Sequence, residues 1–293
     1  MKTIVSADRT CDLNQDLIDI YNIHTIPYSI ELDGEHYYDN VDITLNEIFK
    51  AYDEKQILPK TSAINVGEYT DYFMSLANQC SDDCEILHFC LGSALSSSFR
   101  NCNLAAEGLE KKGIKVYPVD SCTLSSSIGM QVMDACELLN KGKSPSKIQK
   151  HFKKAVHKYH ASFVINNLEY LHAGGRCSSL AKFVTSALNI KPSIKVDTKE
   201  NGAMVVDKKY RGKYEVVVAK YAKDVLAKYE DKIDYSECFI TSTTSILDYD
   251  ERDIIKTIIE EETNFRKCYT STASCTIGSH CGPGTIGLLL KTK

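Results

Sequence analysis

The chain predicts an α/β protein of two lobes, with a parallel sheet in the N-terminal one. Three observations lead there. An apolar run passes through a polar turn into a helical pattern three times, at residues 3–21, 86–111 and 114–139, the order of parallel strands joined by crossover helices. A length of 293 residues suits two domains better than one. Composition shifts near residue 160, which divides the chain into lobes 1–160 and 161–293.

Thr3 to Ala7 reads as the first strand, and Asp8-Arg9-Thr10-Cys11-Asp12 as a polar turn into a helix from Asn14 to Tyr21. His24 to Leu32 reads as one strand. Asp33-Gly34 supplies the positive φ angles of a two-residue hairpin and returns the chain through His36-Tyr37-Tyr38. Thr44-Leu45-Asn46-Glu47 matches a capping box for a helix through Tyr52. Leu58 to Ala63 is a loop, and Tyr69, Phe73, Leu76 and Ala77 lie at helical spacing from Gly67 to Gln79. Ile86 to Leu91 is a buried strand with one polar interruption at His88, feeding a helix through Lys111. Ile114 to Val119 is a strand, Leu124 to Leu139 a helix, and Ser144-Pro145 opens another helix to Lys158.

In the second lobe Ala161 to Asn166 is a strand, and Leu168 to Arg176 a short helical turn closed by Gly174-Gly175. A helix from Ser178 to Leu188 follows, then a strand from Ser193 to Asp197. Asn201-Gly202 marks a hairpin into Ala203 to Val206. A long helix ends at Tyr229; Glu237 to Ser242 is a strand, Asp250 to Glu262 a helix and Phe265 to Thr270 a strand. The residues after Gly287 form a final strand.

Composition narrows the function. Net charge is −4 with no basic block, which argues against nucleic acid as a partner. No run of about 18 apolar residues occurs, so no transmembrane segment is expected. The N-terminal apolar run is too short for a signal peptide. The twelve cysteines are scattered without a Cys-x-x-Cys pair, and we read them as reduced thiols in a cytoplasmic protein. Cys80, Cys84 and His88 are four apart, but the turn Ser81-Asp82-Asp83 separates them and the paired ligands of a zinc site are missing.

The informative stretch is Gly92-Ser93-Ala94-Leu95-Ser96-Ser97-Ser98, which joins a buried strand to the first turn of a helix. The first amides of a helix have no internal partners and carry partial positive charge, so hydroxyls placed there suit a small anion. The competing reading makes Ser96 an ordinary N-cap. Thr61-Ser62 ahead of one helix and Asp120 to Ser127 ahead of another are two further hydroxyl-rich exits that would meet the first in one crevice. Arg176, held by a Gly-Gly turn, is a candidate anion clamp, and His280, in a glycine-lined turn, a candidate ligand-side residue. Gly282-Pro283-Gly284-Thr285-Ile286-Gly287 fits a dinucleotide fingerprint in letters only, because no helix follows it.

Five segments in order now resemble one family over nearly the whole chain, the DegV family of bacterial fatty acid-binding proteins. They are Ile4 to Leu13, Lys60-Thr61-Ser62, Ser93 to Phe99, Tyr170 to Arg176, and Gly278-Ser279-His280-Cys281-Gly282-Pro283-Gly284. The resemblance implies a Rossmann-like N-terminal lobe, a smaller mixed-sheet C-terminal lobe, and one long-chain fatty acid such as palmitate in a tunnel between them. It assigns the carboxylate to Thr61, Ser62 and Ser96, and puts Arg176, His280, Ser93 and Ser98 near the head group or a docking partner. It further implies no cofactor, no catalysis, and presentation of the fatty acid to an ATP-dependent kinase subunit. Each buried CH₂ of the tail would add about 0.8 kcal/mol, so the tail should dominate affinity. Three residues depart from the family pattern: Arg9 for a serine, Ala63-Ile64 for Gln-Pro, and Ser97 for a glycine, which would be strained there if φ must be positive. Two other readings stand beside it: a serine hydrolase of acyl esters using Ser96, His280 and Asp8, which lacks a Gly-x-Ser-x-Gly elbow, and a phosphate or nucleotide binder built on the glycine tail.

Overall fold

The computed structural model describes residues 2–80, 84–177, 190–244 and 251–293. The strands, in chain order, are β1 (Lys2–Asp8), β2 (Ile23–Ile26), β3 (Ser29–Leu32), β4 (Glu35–Tyr38), β5 (Lys60–Ser62), β6 (Cys84–Cys90), β7 (Lys115–Asp120), β8 (Tyr159–Val164), β9 (Ile190–Asp197), β10 (Ala203–Arg211), β11 (Ile233–Ser242), β12 (Cys268–Thr272) and β13 (Ile286–Thr292). The helices are α1 (Gln15–Tyr21), α2 (Leu45–Lys55), α3 (Val66–Asn78), α4 (Ser98–Glu110), α5 (Ser126–Asn140), α6 (Pro145–Ala155), α7 (Glu169–Gly174), α8 (Tyr214–Tyr229), α9 (Arg252–Glu262) and α10 (Cys275–Cys281). The helix expected over residues 178–188 lies outside the described residues.

Three sheets form. A parallel one has the order β2-β1-β6-β7, and a mixed one the order β10-β9-β8-β13-β11-β12, in which only β11 and β12 run parallel. The third is a small antiparallel sheet, β4-β3-β5. α5 lies between the two large sheets; Ser126 to Met133 are buried without a break, as a helix covered on both sides requires. Its apolar residues join one core with Leu87 and Phe89 of β6 and with Phe163, Phe239 and Leu289 of the mixed sheet. α8 and α9 cover the other face of that sheet through Val217, Tyr221 and Ile255.

Local chemistry explains most boundaries. Thr44 and Glu47 make the capping box reciprocally, and Asn65 with Glu68 makes a second one at the start of α3. Asp33 (φ 55°) and Gly34 (φ 84°) take the positive angles of a two-residue turn. The Asn201-Gly202 hairpin carries an extra helical turn, Thr198–Glu200, before it closes. The strand expected from His24 to Leu32 is two strands in different sheets. Pro27 interrupts it because it has no N–H for a ladder, and Tyr28 turns inward to donate to Asp8.

Candidate functional site: a cation-rimmed cavity at the end of the parallel sheet

In the parallel sheet Cys90 pairs with Asp120 and Ala7 with Phe89, so the polar exits of β1, β6 and β7 emerge side by side at the carboxyl edge. A cavity of about 510 Å³ opens there, within the ~300–1,000 Å³ usual for small-molecule sites. Its walls are the 91–100 turn, Tyr28, Thr61 and Ala63, one face of α10, Arg176 beyond α7, and Leu124 and Met204.

The turn is held from outside. Gly92 N–H donates to the Thr123 carbonyl (2.9 Å), Ala94 N–H to the Asn201 carbonyl (3.1 Å) and Ser93 N–H to Asp120 Oδ1 (3.1 Å). A Cβ on Gly92 would lie 2.9 Å from the Asn201 carbonyl oxygen, so glycine is needed for this close approach. Ser97 has φ −77°, so the serine there carries no positive-φ strain.

The expected hydroxyls do not share one placement. Ser96 and Thr61 line the cavity. Ser96 Oγ lies 2.9 Å from Ser98 Oγ and accepts from Ser98 N–H (3.2 Å), while Thr61 Oγ1 lies 2.8 Å from His280 Nε2. Ser98 is fully buried behind the wall, accepting from Ile64 N–H (3.2 Å), and so acts as a brace. Ser93 is exposed at the rim. Ser62 is not in the wall: successive side chains of β5 point to opposite faces, so with Thr61 inward Ser62 is exposed. The third hydroxyl-rich exit does not supply the cavity's polar end either. Ser125 donates to Asp12 (2.6 Å) and Ser126 pairs with Thr241 (2.6 Å), so these hydroxyls brace the sheets.

His280 stands in α10, not in the glycine-lined turn expected from sequence. Ser274 caps that helix by accepting from Ile277 N–H, and Asp12 and Asp39 accept the amides of Ser274, Cys275 and Thr276. The ring packs on α7 so closely that a Cβ on Gly174 would lie 2.3 Å from Nδ1, and Nδ1 has no hydrogen-bond partner among the described residues. Burial, helped by the Arg176 charge, pushes the imidazole down to about 4, so at neutral pH it is an uncharged ring with one donor and one acceptor nitrogen. Gly175 (φ 67°) ends α7 in the left-handed conformation, and Arg176 Nη1 donates back to the Gly174 carbonyl (2.6 Å) at the rim.

The wall contains, among the described residues, Arg100, Arg176 and His280 and no Asp or Glu. Among the described residues neither arginine is in an ion pair. The rest of the lining is largely apolar: Leu91, Leu95, Leu124, Met204 and Ile277. A second, small cavity of about 20 Å³ shares Leu124, Ile277 and Cys281 with its wall and is lined further by Phe163 and Leu289 of the mixed sheet. Sequence reasoning missed Tyr28, Arg100 and Met204. Arg100 had a signal, one position past the hydroxyl turn; the other two arrive from distant elements and had none.

The hydrolase triad is not assembled. Asp8 is fully buried and accepts from Tyr28 (3.0 Å), Tyr69 (2.6 Å) and Leu91 N–H (2.8 Å), and pairs with His88 Nε2 (3.1 Å), while among the described residues His280 has no carboxylate partner. Ser6, His88 and Asp8 do form a serine–histidine–aspartate chain, but all three are fully buried and no substrate reaches them. Cys80 and Cys84 do not gather with His88; Cys90 and Cys102 do, and both His88 nitrogens are already engaged by Ser6 and Asp8. The glycine tail runs into β13 with no helix, so the context of a dinucleotide fingerprint is absent.

Fold and site describe an α/β protein of two large sheets and one small one, with a cation-rimmed, apolar-walled cavity at the carboxyl ends of its parallel strands. The chain belongs to the DegV family: the model described as "Uncharacterised protein, DegV family" matches residues 2–293. A DegV domain-containing protein of Clostridium acetobutylicum is 28% identical over 100% of this chain and 99% of its own. Among solved structures, a fatty acid-binding DegV family protein from Thermus thermophilus matches with a TM-score of 0.88 at 24% identity, over 100% of both chains. DegV from Bacillus subtilis, a fatty acid-binding protein, matches with a TM-score of 0.81 at 24% identity, again over 100% of both. Among the described residues no helix is long and apolar enough to cross a membrane.

Proposed function

We propose that this protein is a non-catalytic carrier that holds one long-chain fatty acid in the cavity and presents it, in the cytoplasm, to an ATP-dependent fatty acid kinase subunit. One observation carries the reading: the cavity wall combines two arginines, a neutral histidine and inward hydroxyls with apolar side chains, and among the described residues includes no carboxylate. An anion with a hydrocarbon tail satisfies both halves of that lining. Thr61 and Ser96 donate to the carboxylate, His280 Nε2–H donates to Thr61 Oγ1 and so aims that hydroxyl's proton at the ligand, and Arg176 and Arg100 lend positive potential from the rim. The tail lies along Leu91, Leu95, Leu124, Met204 and Ile277, where each buried CH₂ contributes about 0.8 kcal/mol, and Leu124 and Ile277 lead it toward the second, small cavity. The structural neighbours described as fatty acid-binding DegV proteins support the same ligand class.

The test is direct. Purified protein, extracted with organic solvent, should release a fatty acid seen by mass spectrometry. Replacing Thr61 and Ser96 together by Ala should weaken binding by about 3–6 kcal/mol, at roughly 1.5–3 for each hydrogen bond to a charged group. Unchanged affinity in that double variant would place the head group elsewhere.

A further inference from the structure

Two buried carboxylates lie outside the cavity and make none of the ligand contacts assigned above. Asp39 is fully buried in the segment after β4, and Asp12 is almost fully buried in the exit of β1. Both point at the start of α10. Asp39 accepts Cys275 N–H on one oxygen (2.7 Å) and Thr276 N–H on the other (3.0 Å), and Asp12 accepts Ser274 N–H (2.9 Å). We propose that Asp39 and Asp12 are positioning residues: they fix the rotation and depth of α10 and thereby hold His280 where it orients the Thr61 hydroxyl toward the ligand's carboxylate. The assignment rests on the fatty acid reading of the cavity.

The geometry is that of a lever with its fulcrum outside the site. A helix end left alone has orphan amides free to choose water or a tighter turn. Here three consecutive amides are taken by two carboxylates that reach α10 from the first 39 residues of the chain. A bidentate acceptor on adjacent amides opposes rotation about the helix axis, which a single cap does not. Thr276 and His280 are four residues apart, about 6 Å along the axis and on one face. That face, with Ile277 and Cys281, is the part of α10 in the cavity wall. Clearance along the rest of the helix is small. A Cβ on Gly278 would meet Leu45 Cδ2 at 2.1 Å, and the His280 ring fits between Thr61 and Gly174. A rotated α10 would therefore break the Thr61–His280 bond or drive the ring into α7.

A purely architectural role would affect every ligand alike, so the test compares two ligands. Palmitate and hexadecan-1-ol share a tail and differ in the head group. For Asp39→Asn in the full chain, palmitate affinity should fall about tenfold or more, the order of one lost hydrogen bond to a charged group, with hexadecan-1-ol unchanged within about twofold. The loss should not add to that of His280→Ala in the double variant. Equal weakening of both ligands, or additivity with His280→Ala, would overturn the positioning role. If Asp39→Asn does not fold, Asp12→Asn is read by the same two criteria. A wild-type protein that binds palmitate no better than hexadecan-1-ol would instead overturn the fatty acid reading, and the positioning role with it.

Discussion

Two enclosed histidines sit on opposite sides of the same wall, and their surroundings give them opposite character. His88 is in the core of the parallel sheet, with Ser6 on one nitrogen, Asp8 on the other, and the rings of Tyr69 and Phe73 around it. Burial works against a charged ring there, but the Cys90 sulfur and the Asp8 carboxylate outweigh it and lift its pKa to about 9. His280 has a hydroxyl on one nitrogen, no hydrogen-bond partner among the described residues on the other, which is buried against α7, an arginine nearby, and a pKa pushed down to about 4. A satisfied histidine holds structure. One kept neutral beside a cavity-lining hydroxyl can instead orient that hydroxyl toward a ligand.

The strongest way to break this comparison is Asp8→Asn. It leaves His88 and two tyrosine hydroxyls without their shared charge, and removing one partner of a buried pair costs about 3–5 kcal/mol. Urea denaturation should show that loss; a variant as stable as wild type would mean that Asp8 is not the hub its four hydrogen bonds describe.

A pH titration of stability sharpens the contrast. The folded pKa of His88 lies above its unfolded value, so its contribution is full below about 6.5 and is lost as pH rises through about 9. The folded pKa of His280 lies below its unfolded value, so its contribution is present above about 6.5 and lost, by up to about 3 kcal/mol, as pH falls toward about 4. His280→Ala should flatten only the acid limb; an unchanged acid limb would place its ring in water. The smallest effect is expected from Ser62→Ala. With its side chain on the outer face of β5, palmitate affinity should stay within about twofold of wild type by calorimetry, since an exposed surface change rarely exceeds ~0.5 kcal/mol.

Much of the fold was legible because its cues are local. The capping box at Thr44, the hairpin at Asp33-Gly34 and the strand–turn–helix order at His88 to Arg100 depend on residues within a few positions of each other. The break at Pro27 was present in the letters, but an apolar run on both sides hid it. Ser62 shows the opposite limit. Adjacent hydroxyls look equivalent in a motif, and only the pairing of β5 with β3 decides which of the two faces the cavity.

The sequence by itself determined the class of architecture, the hydroxyl turn after β6 and the identity of the residues able to hold an anion, since propensity, capping and spacing act over short stretches. The tertiary structure decided which of those residues share a wall. Thr61 meets His280 across 219 positions, Asp39 reaches Cys275 across 236, and Asp8 is committed to the core rather than to the site. Such contacts follow from how the sheets pack around α5, and burial and partner geometry, absent from a linear pattern, then set the charge state of each group they enclose.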